Sequence, residues 1–450
     1  MADYLPHTPA EVEEMLNFLG MDSMEQLFDH IPAAVRLSQG LDLPAGLSEP
    51  DVAAIFEGLT QKNKAKASDM VCFAGGGAYD HEIPPVVKTL GGRGEFVTAY
   101  TPYQPEVAQG VLQAIFEYQT LVSRLSGLPI PNASLYDAAT GMVEAVNMAV
   151  GATGRNKIVM SAGVHPHWRA TVKTFAQGTG HEIVEVPLVD GVTNWSAVDA
   201  TGAAAIVASY PNYLGVIEDM TPAKQLATAN EALFVMGIDP VAAAVLKTAG
   251  QWGADVMVGE GQPFGTGLNF GGPYLGLFAC TEAQIRRLPG RIVGETVDSN
   301  NRRSFVTTLR AREQDIRREK ATSNICSNQT LMAVTAAIQL GYLGTYGLRE
   351  VATRCAQGAH YLHDEVMKIS GVEPLNSQPF FREFAFKVPG NASEVLSHMA
   401  TNGVLGGLSV KALHDEVTGE DDNVILVAVT EKRTKDQIDN YVELLRKAVA

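Results

Sequence analysis

The chain has 450 residues, of which 46% are apolar and 19% are charged, a composition that excludes a disordered or fibrous protein. Its 34 basic and 50 acidic side chains give a formal net charge of −16, which argues against nucleic-acid binding because that function needs a basic surface. The four cysteines form no CxxC pair, so neither a metal site nor a thiol redox motif is indicated.

The N-terminal region predicts a small helical segment over residues 1–65. Thr8-Pro9-Ala10-Glu11 is a capping box with a proline at the first helical position, and apolar residues follow it at helical spacing. Ser23-Met24-Glu25-Gln26 indicates a second helix start, and Pro32, Pro44 and Pro50 interrupt the remainder. No signal-peptide pattern and no uncharged apolar run of about 20 residues is present, so we expect a cytoplasmic protein that spans no membrane.

Residues 66–325 predict a large α/β domain. A loop rich in proline and tyrosine over 98–105 precedes a helix over 106–126. Short runs rich in Val and Ile then alternate with helical patterns, which is typical of a parallel sheet covered on both faces. The predicted strands are 157–161, 182–188, 203–210, 232–238, 255–258 and 274–280, and the helices between them include 136–152, 168–177 and 241–250. Such a sheet binds ligands at the carboxyl ends of its strands.

Residues 326–450 predict a smaller C-terminal α/β domain. It begins with a helix over 328–342, after a basic stretch over 286–320. The mixed-charge run over 310–320 is typical of a solvated surface, and the small polar residues over 321–329 that follow it could instead line a site or an interface. Strands and helices alternate in the remainder, at 384–388, 392–401, 423–430 and 434–448. Thr434 and Gln437 form the capping box of the last helix.

Thr140 and Gly141 lie at the start of a predicted helix. Small residues and a hydroxyl at a helix N-terminus can bind an anion, because free N–H groups point outward and the helix dipole favours negative charge. The alternative is an ordinary helix start without a ligand. The stretch lacks the GxxxxGK[ST] pattern, so a nucleoside triphosphate is not indicated.

Other polar residues follow predicted strands. His165 and His167 come after strand 157–161, where an imidazole could stack on a planar ligand or simply form a surface turn. Asp239 follows strand 232–238, where a carboxylate can pair with a protonated ring nitrogen. It could equally cap a helix that begins at Pro240.

Several long stretches resemble one family. They are Gly75-Gly-Gly-Ala-Tyr-Asp-His81, Thr98-Ala-Tyr-Thr-Pro-Tyr-Gln-Pro-Glu106, GVLQAIFEYQT over 110–120, Asn132-Ala-Ser-Leu-Tyr-Asp137 and REQDIRREKATSNICSN over 312–328. Together they are similar to the glycine-cleavage P-proteins, the decarboxylating glycine dehydrogenases, and specifically to the alpha subunit (subunit 1) of the two-subunit form. One departure is Gly92-Arg-Gly-Glu-Phe96, where an Arg-Ser-Glu-Phe string is expected.

The resemblance implies the pyridoxal-phosphate transferase fold of aspartate-aminotransferase type, with the Schiff-base lysine in a related beta subunit. At the corresponding position this chain has Gln262. An amide nitrogen cannot form an imine, whereas a lysine amine can, so we expect no catalytic residue and no covalent cofactor in this chain. Thr140, Gly141, His165, His167, Asp239 and Gln262 would then be a vestigial cofactor pocket. In a different register Lys247 could serve as the lysine, although the predicted helix should point it sideways.

The resemblance also implies a function and partners. With its beta subunit and pyridoxal phosphate, the enzyme would decarboxylate glycine, release carbon dioxide and pass the aminomethyl group to the lipoyl arm of the H-protein. We expect Tyr100, Tyr103 and Gln104 to reach the partner's site, because Pro102 and Pro105 stiffen their loop. A rigid interface plug without chemical contact is the alternative. Two other hypotheses are an autonomous pyridoxal-phosphate lyase or aminotransferase and a purely scaffolding subunit.

Overall fold

The computed structural model describes residues 6–37, 39–63, 70–411 and 422–450, and the chain divides into two compact units, Met1–Lys64 and Ala65–Ala450. The N-terminal unit has two helices, α1 (Pro9–Leu19) and α2 (Glu49–Lys62), and 3₁₀ turns at Met24–Phe28 and Ala33–Val35. The predicted capping box at Thr8 is confirmed, with the Thr8 hydroxyl accepting from the backbone of Glu11. None of the residues described in this unit is buried.

A seven-stranded sheet forms the centre of the larger unit. Its strands are β2 (Ile130–Pro131), β3 (Lys157–Ser161), β4 (Glu182–Val186), β7 (Ala203–Tyr210), β8 (Leu233–Ile238), β9 (Val256–Glu260) and β10 (Gly276–Cys280). Their order in the sheet is β2-β10-β9-β8-β7-β3-β4. Strands β4, β3, β7, β8 and β9 are parallel, whereas β10 runs antiparallel to both β9 and β2. The predicted mostly parallel sheet is therefore confirmed.

Helices cover both faces of this sheet. Apolar residues of α5 (Gln109–Ser126), α8 (Thr221–Ala229) and α10 (Thr330–Val366) form one buried layer with it, and those of α6 (Ala138–Thr153) and α7 (Pro166–Thr179) form the other. Strand β7 consists of small and β-branched residues followed by Tyr210, and it is buried along its whole length because neither face meets solvent. This double burial explains why the strands were recognisable as continuous apolar runs.

A second sheet lies in the C-terminal part of the chain and packs against α11 (Ala392–Thr401), α12 (Lys435–Ala448) and the end of α10. Its strands are β13 (Glu373–Pro374), β14 (Glu383–Lys387), β16 (Leu408–Ser409) and β17 (Val424–Ala428), and their order is β13-β14-β17-β16. Nearby, β1 (Val71–Cys72) pairs in parallel with β15 (Val404–Leu405). The early chain therefore joins the C-terminal layer. The boundaries predicted at 65/66 and 325/326 stay predictions.

The remaining elements connect these layers. They are the hairpins β5 (Leu188–Val189) with β6 (Val192–Thr193) and β11 (Ile292–Val297) with β12 (Arg303–Thr308), and the short helices α3 (Pro85–Gly91), α4 (Gly94–Val97) and α9 (Gln314–Arg317). The β11–β12 hairpin lies within the basic stretch and was not predicted.

Two predicted helices differ from the structure. The helix expected over 241–250 is only a 3₁₀ turn, Ala242–Ala244. Helix α10 is much longer than expected and breaks at Gly344, whose φ of 59° is accessible to glycine without strain. Within the described residues α10 alone is long and apolar enough to cross a membrane, but core helices share these features, so this is weak evidence for a membrane span.

Candidate functional site

A small cavity lies at the carboxyl ends of β7, β8 and β9, where the parallel-sheet prediction places a ligand. Its volume is about 60 Å³. Small-molecule pockets typically have volumes of about 300–1,000 Å³, so this cavity is too small for a ring-containing cofactor. The space around this cavity is filled by residues of the predicted pocket and by two segments that are distant in sequence, Gly75–His81 and the start of β14.

Gln262 follows β9 and is only 1% exposed. Its amide is clamped on the backbone of Tyr79: the Oε1 atom accepts from the Tyr79 N–H at 3.0 Å, and Nε2 donates to the Tyr79 carbonyl at 3.0 Å. The second Nε2 proton goes to the carbonyl of Thr266 at 2.9 Å. The side chain therefore pins the glycine-rich segment into the pocket, and all its polar groups are used.

Asp239 caps a short turn rather than a helix, and the cation that it pairs with is an arginine of its own chain rather than a ring nitrogen. Its Oδ1 accepts from the backbone N–H of Val241 at 2.9 Å, which caps the following turn. Its Oδ2 forms an ion pair with Nη2 of Arg382 at 2.7 Å, and both side chains are largely buried. Burial is the largest single influence on the pKa of Arg382 and acts to lower it, but Asp239 and, less strongly, Tyr79, Cys355 and Glu383 together outweigh burial, so the pKa lies above its ordinary value. An internal guanidinium thus neutralises the carboxylate.

The same guanidinium is held from two other sides. It lies over the ring of Tyr79 at 3.6 Å and contacts Nε2 of His81. Stacking on an aromatic face and contact with a carboxylate both suit the planar arginine side chain. Arg382 is 1% exposed, so its charge fills the space beside Asp239 rather than facing solvent.

The predicted anion site at Thr140 and Gly141 is also occupied from within the chain. Oδ1 of Asp137 accepts from the Thr140 N–H at 2.7 Å, and Oε2 of Glu260 accepts from the Ala138 N–H at 3.1 Å. Burial raises the pKa of Glu260 to about 7 although it also accepts from other backbone groups. Gly141 permits close packing: an added Cβ would lie 3.1 Å from Val258. The N-terminus of α6 therefore holds two carboxylates instead of an external anion.

His165 lies beneath the glycine-rich segment. Its Nε2 is 2.7 Å from the carbonyl of Gly76, its Nδ1 accepts from the backbone of His167 at 3.1 Å, and Trp168 stacks on its ring. Gly77 passes so close that an added Cβ would be 2.7 Å from the imidazole. The face on which a planar ligand would stack is therefore covered, while the side chain of His167 points to the exposed surface.

Glu383 secures the other end of this segment. Its Oε1 accepts from the Gly76 N–H at 2.6 Å, and its Oε2 accepts from the Tyr79 hydroxyl at 2.8 Å. Burial raises the pKa of Glu383 to about 7. The sequence reasoning missed Arg382, Glu383, Glu260 and Tyr79. An adjacent Arg–Glu pair amid the phenylalanines of a strand could have indicated a buried ionic site.

A cluster of His81, Cys355 and Glu431 adjoins Arg382, with ligand atoms within 4.8 Å of one another. Their polar groups are already paired: Nδ1 of His81 is 2.7 Å from Glu431, and the Cys355 thiol donates to the same carboxylate at 3.5 Å. The neighbouring guanidinium would repel a metal cation. The cluster is explained as the continuation of the buried ionic network, and the expected absence of a metal site stays a prediction.

Tyr100, Tyr103 and Gln104 do not line this cavity. Tyr100 is 86% exposed and Gln104 is exposed, whereas the Tyr103 hydroxyl donates to Asn328 at 2.7 Å and its ring stacks on the guanidinium of Arg291 at 4.0 Å. The structure thus fixes one of the three side chains and leaves two at the surface. Their predicted role toward a partner's site stays a prediction.

No lysine is among the described residues that line the cavity. The ammonium group of Lys247 lies over the indole of Trp252 at 4.1 Å. The side chain is exposed, so this lysine belongs to the surface. These positions support the register in which Gln262 stands at the lysine position.

The fold defines the class of protein. Solved structures with this architecture include a cysteine desulfurase from Escherichia coli (14% identity, TM-score 0.60, covering 87% of this chain and 98% of that one). Another is a sphingosine-1-phosphate lyase from Burkholderia pseudomallei (16% identity, TM-score 0.60, covering 93% and 94%). The chain has the fold of pyridoxal-phosphate-dependent enzymes of fold type I, which confirms the predicted fold class.

The family follows from closer similarities. Residues 2–445 match the model of the glycine cleavage system P-protein. Proteins named probable glycine dehydrogenase (decarboxylating) subunit 1 are 45% identical over 445 residues in Carboxydothermus hydrogenoformans (98% of this chain, 99% of that protein) and 46% identical over 450 residues in Moorella thermoacetica (99% and 100%). An inhibitor-bound crystal structure of a glycine decarboxylase P-protein matches at 43% identity and TM-score 0.90, covering 99% and 100%. The chain belongs to the glycine cleavage system P-protein family, as its motifs indicated.

The family depends on pyridoxal phosphate, and the name subunit 1 carried by the relatives implies a second subunit. The residues present at this site do not fit the cofactor. Gln262 offers a fully bonded amide and no amine, the carboxylate of Asp239 is paired with Arg382, and the N-terminus of α6 holds Glu260. We therefore derive no chemical step through this cavity.

Proposed function

We propose that this chain is the subunit of a cytoplasmic, two-subunit decarboxylating glycine dehydrogenase that does not hold the cofactor. The lysine and pyridoxal phosphate belong to the second subunit. The assembled enzyme removes the carboxyl group of glycine as carbon dioxide and delivers the aminomethyl group to the lipoyl arm of the H-protein. The full-length similarity to proteins named subunit 1 supports this assignment.

The proposal that the second subunit, and not this chain, holds the cofactor rests on the clamp between Gln262 and Tyr79. In a cofactor-binding subunit the residue at this position must present an amine to an open pocket. Here the side chain is an amide whose oxygen and nitrogen bind a backbone segment that fills the pocket. A cofactor could enter only if this segment left and the ion pair between Asp239 and Arg382 opened.

The role proposed for this chain at the second subunit's site uses the loop over 98–105. Tyr100 and Gln104 are exposed there, while Tyr103 is held by Asn328 and Arg291. A loop anchored at its centre can present neighbouring side chains at low entropic cost. We propose that Tyr100, Tyr103 and Gln104 border the second subunit's site and help to admit the lipoyl arm.

The test compares cofactor binding by each chain alone. The chain is incubated with pyridoxal phosphate, reduced with borohydride and digested, and the second subunit is treated in parallel as the positive control. We expect a visible absorption band and a pyridoxyl-lysine peptide from the second subunit and neither from this chain. An adduct on a specific lysine of this chain, with glycine decarboxylation in the absence of the second subunit, would instead support an autonomous enzyme.

A further inference from the structure

The N-terminal unit lacks a buried side chain in its described part, residues 6–37 and 39–63. Its helix α2 nevertheless has an apolar face, because Val52, Ile55, Phe56 and Leu59 recur at the i, i+3, i+4, i+7 spacing of a helix that packs on something. All four are exposed, Phe56 by 63%. We call these four residues the α2 stripe.

Helix α1 has the same property. Met15, Phe18 and Leu19 are exposed, Phe18 by 90%. The two helices have 11 and 14 residues, and isolated helices of this length are marginal in water because most helical stability comes from packing an apolar face. Both helices are also well capped, α1 by Thr8 and α2 by Ser48, so their ends are built to be helical. A packing surface is therefore needed for their apolar faces.

The charge of the unit restricts what that surface can be. Residues 1–64 contain eleven acidic and three basic side chains, so they hold half of the net charge of −16 in a seventh of the chain. An anionic lipid surface attracts basic segments and would repel this one. The other 386 residues also carry a net charge of −8, so a second copy of this chain is a poor electrostatic match.

We propose that the N-terminal unit is a docking arm whose α2 stripe lies on the second subunit of the enzyme, against an apolar surface bordered by lysine and arginine side chains. The inference rests on the proposed two-subunit function. The α2 stripe and the three exposed apolar residues of α1 supply seven side chains, which can form the apolar centre of an interface that uses about 20–30 residues from each partner. The acidic residues that flank the stripe on the helix surface, Glu49 and Asp51, would face the basic border.

The experiment compares two double variants: one places two glutamates on the α2 stripe, and the other places two glutamates on the opposite face of α2. The test variant is Ile55→Glu/Phe56→Glu, and the matched control is Ala54→Glu/Gln61→Glu, which adds the same charge to the opposite face of α2. The full-length chains are mixed with the second subunit, and the dissociation constant is measured by sedimentation velocity at low and high salt. We expect the test variant to assemble at least tenfold more weakly and the control to remain within twofold of wild type. Assembly of wild type and control should weaken as salt rises.

Three results would overturn the proposal. The first is equal assembly of both variants. The second is a lower thermal midpoint for the test variant alone, which would mean that the stripe packs within its own chain. The third is evidence for another occupant of the stripe. This would be either a wild-type self-dimer that the two test substitutions disrupt or flotation of the wild type with anionic vesicles. At saturating second subunit the test variant should decarboxylate glycine at the wild-type rate. If wild type shows no decarboxylation even then, it is the proposed function that fails.

Discussion

The ion pair between Asp239 and Arg382 makes the clearest energetic prediction. Replacing Arg382 with Met removes the cation but keeps much of the side-chain volume. The carboxylate of Asp239 then remains in a site where both side chains are nearly inaccessible to water. Breaking a buried pair by removing one partner typically costs about 3–5 kcal/mol, because an uncompensated charge stays behind. Loss of the stack on Tyr79 adds about 1 kcal/mol.

The double variant Asp239→Asn/Arg382→Met separates charge from packing. It removes both charges, so we expect its free energy of unfolding to be no lower than that of Arg382→Met alone, and the coupling energy to be several kcal/mol. The assay is urea denaturation of the isolated chain followed by tryptophan fluorescence, since Trp168 lines the cavity and reports on it directly. An Arg382→Met variant within about 1 kcal/mol of wild type, or two strictly additive substitutions, would refute the reasoning.

Three further results are expected. Gln262→Lys alone should not create a borohydride-fixed cofactor adduct, because the segment over 75–81 still fills the pocket; a pyridoxyl-labelled peptide that spans the substituted position would contradict this. Glu383→Gln should gain stability relative to wild type as pH rises from 5 to 8. The pKa of Glu383 is about 7 in the folded chain and 4.5 ordinarily, so protonated Glu383 stabilises the fold fully below pH 4.5. This stabilisation, up to about 3 kcal/mol, is lost as the pH rises through 7. Thermal unfolding of the variant and of wild type at pH 5 and at pH 8 tests this, and a stability difference that does not change with pH would contradict it. Tyr100→Phe and Tyr103→Phe should lower glycine decarboxylation by the assembled enzyme without preventing assembly, whereas an unchanged rate would favour a scaffolding role.

The sheet was predictable because the burial of each strand shows in the composition of a short, continuous stretch of sequence. Strand β7 was predicted over 203–210 and found there, since a strand buried on both faces is a continuous apolar run. The helix over 392–401 was also predicted to the residue. Helix α2 was missed because Pro50 looked like a breaker, whereas it lies in the first turn, where its missing N–H costs nothing.

The site was only partly predictable. Asp239 and Gln262 stood out because they follow buried strands, and position at a strand end is visible in the sequence. Their partners Arg382 and Tyr79 could not be predicted, because they come from segments far away in the chain. A hydrogen bond to a backbone group leaves no trace in residue identity, so the clamp on Tyr79 could not have been inferred from the sequence. The resemblance supplied the family, but the packing that closes the pocket required the structure.

The clamp at Gln262 has a consequence for any attempt to re-engineer this pocket. A lysine there could not accept from the Tyr79 N–H, and opening the pocket would leave Asp239 or Glu260 without its present partner. Each change made singly is thus penalised by the contacts that remain. We therefore expect the pocket to stay closed to a ring-sized ligand unless Gln262, Arg382 and Glu383 are replaced together.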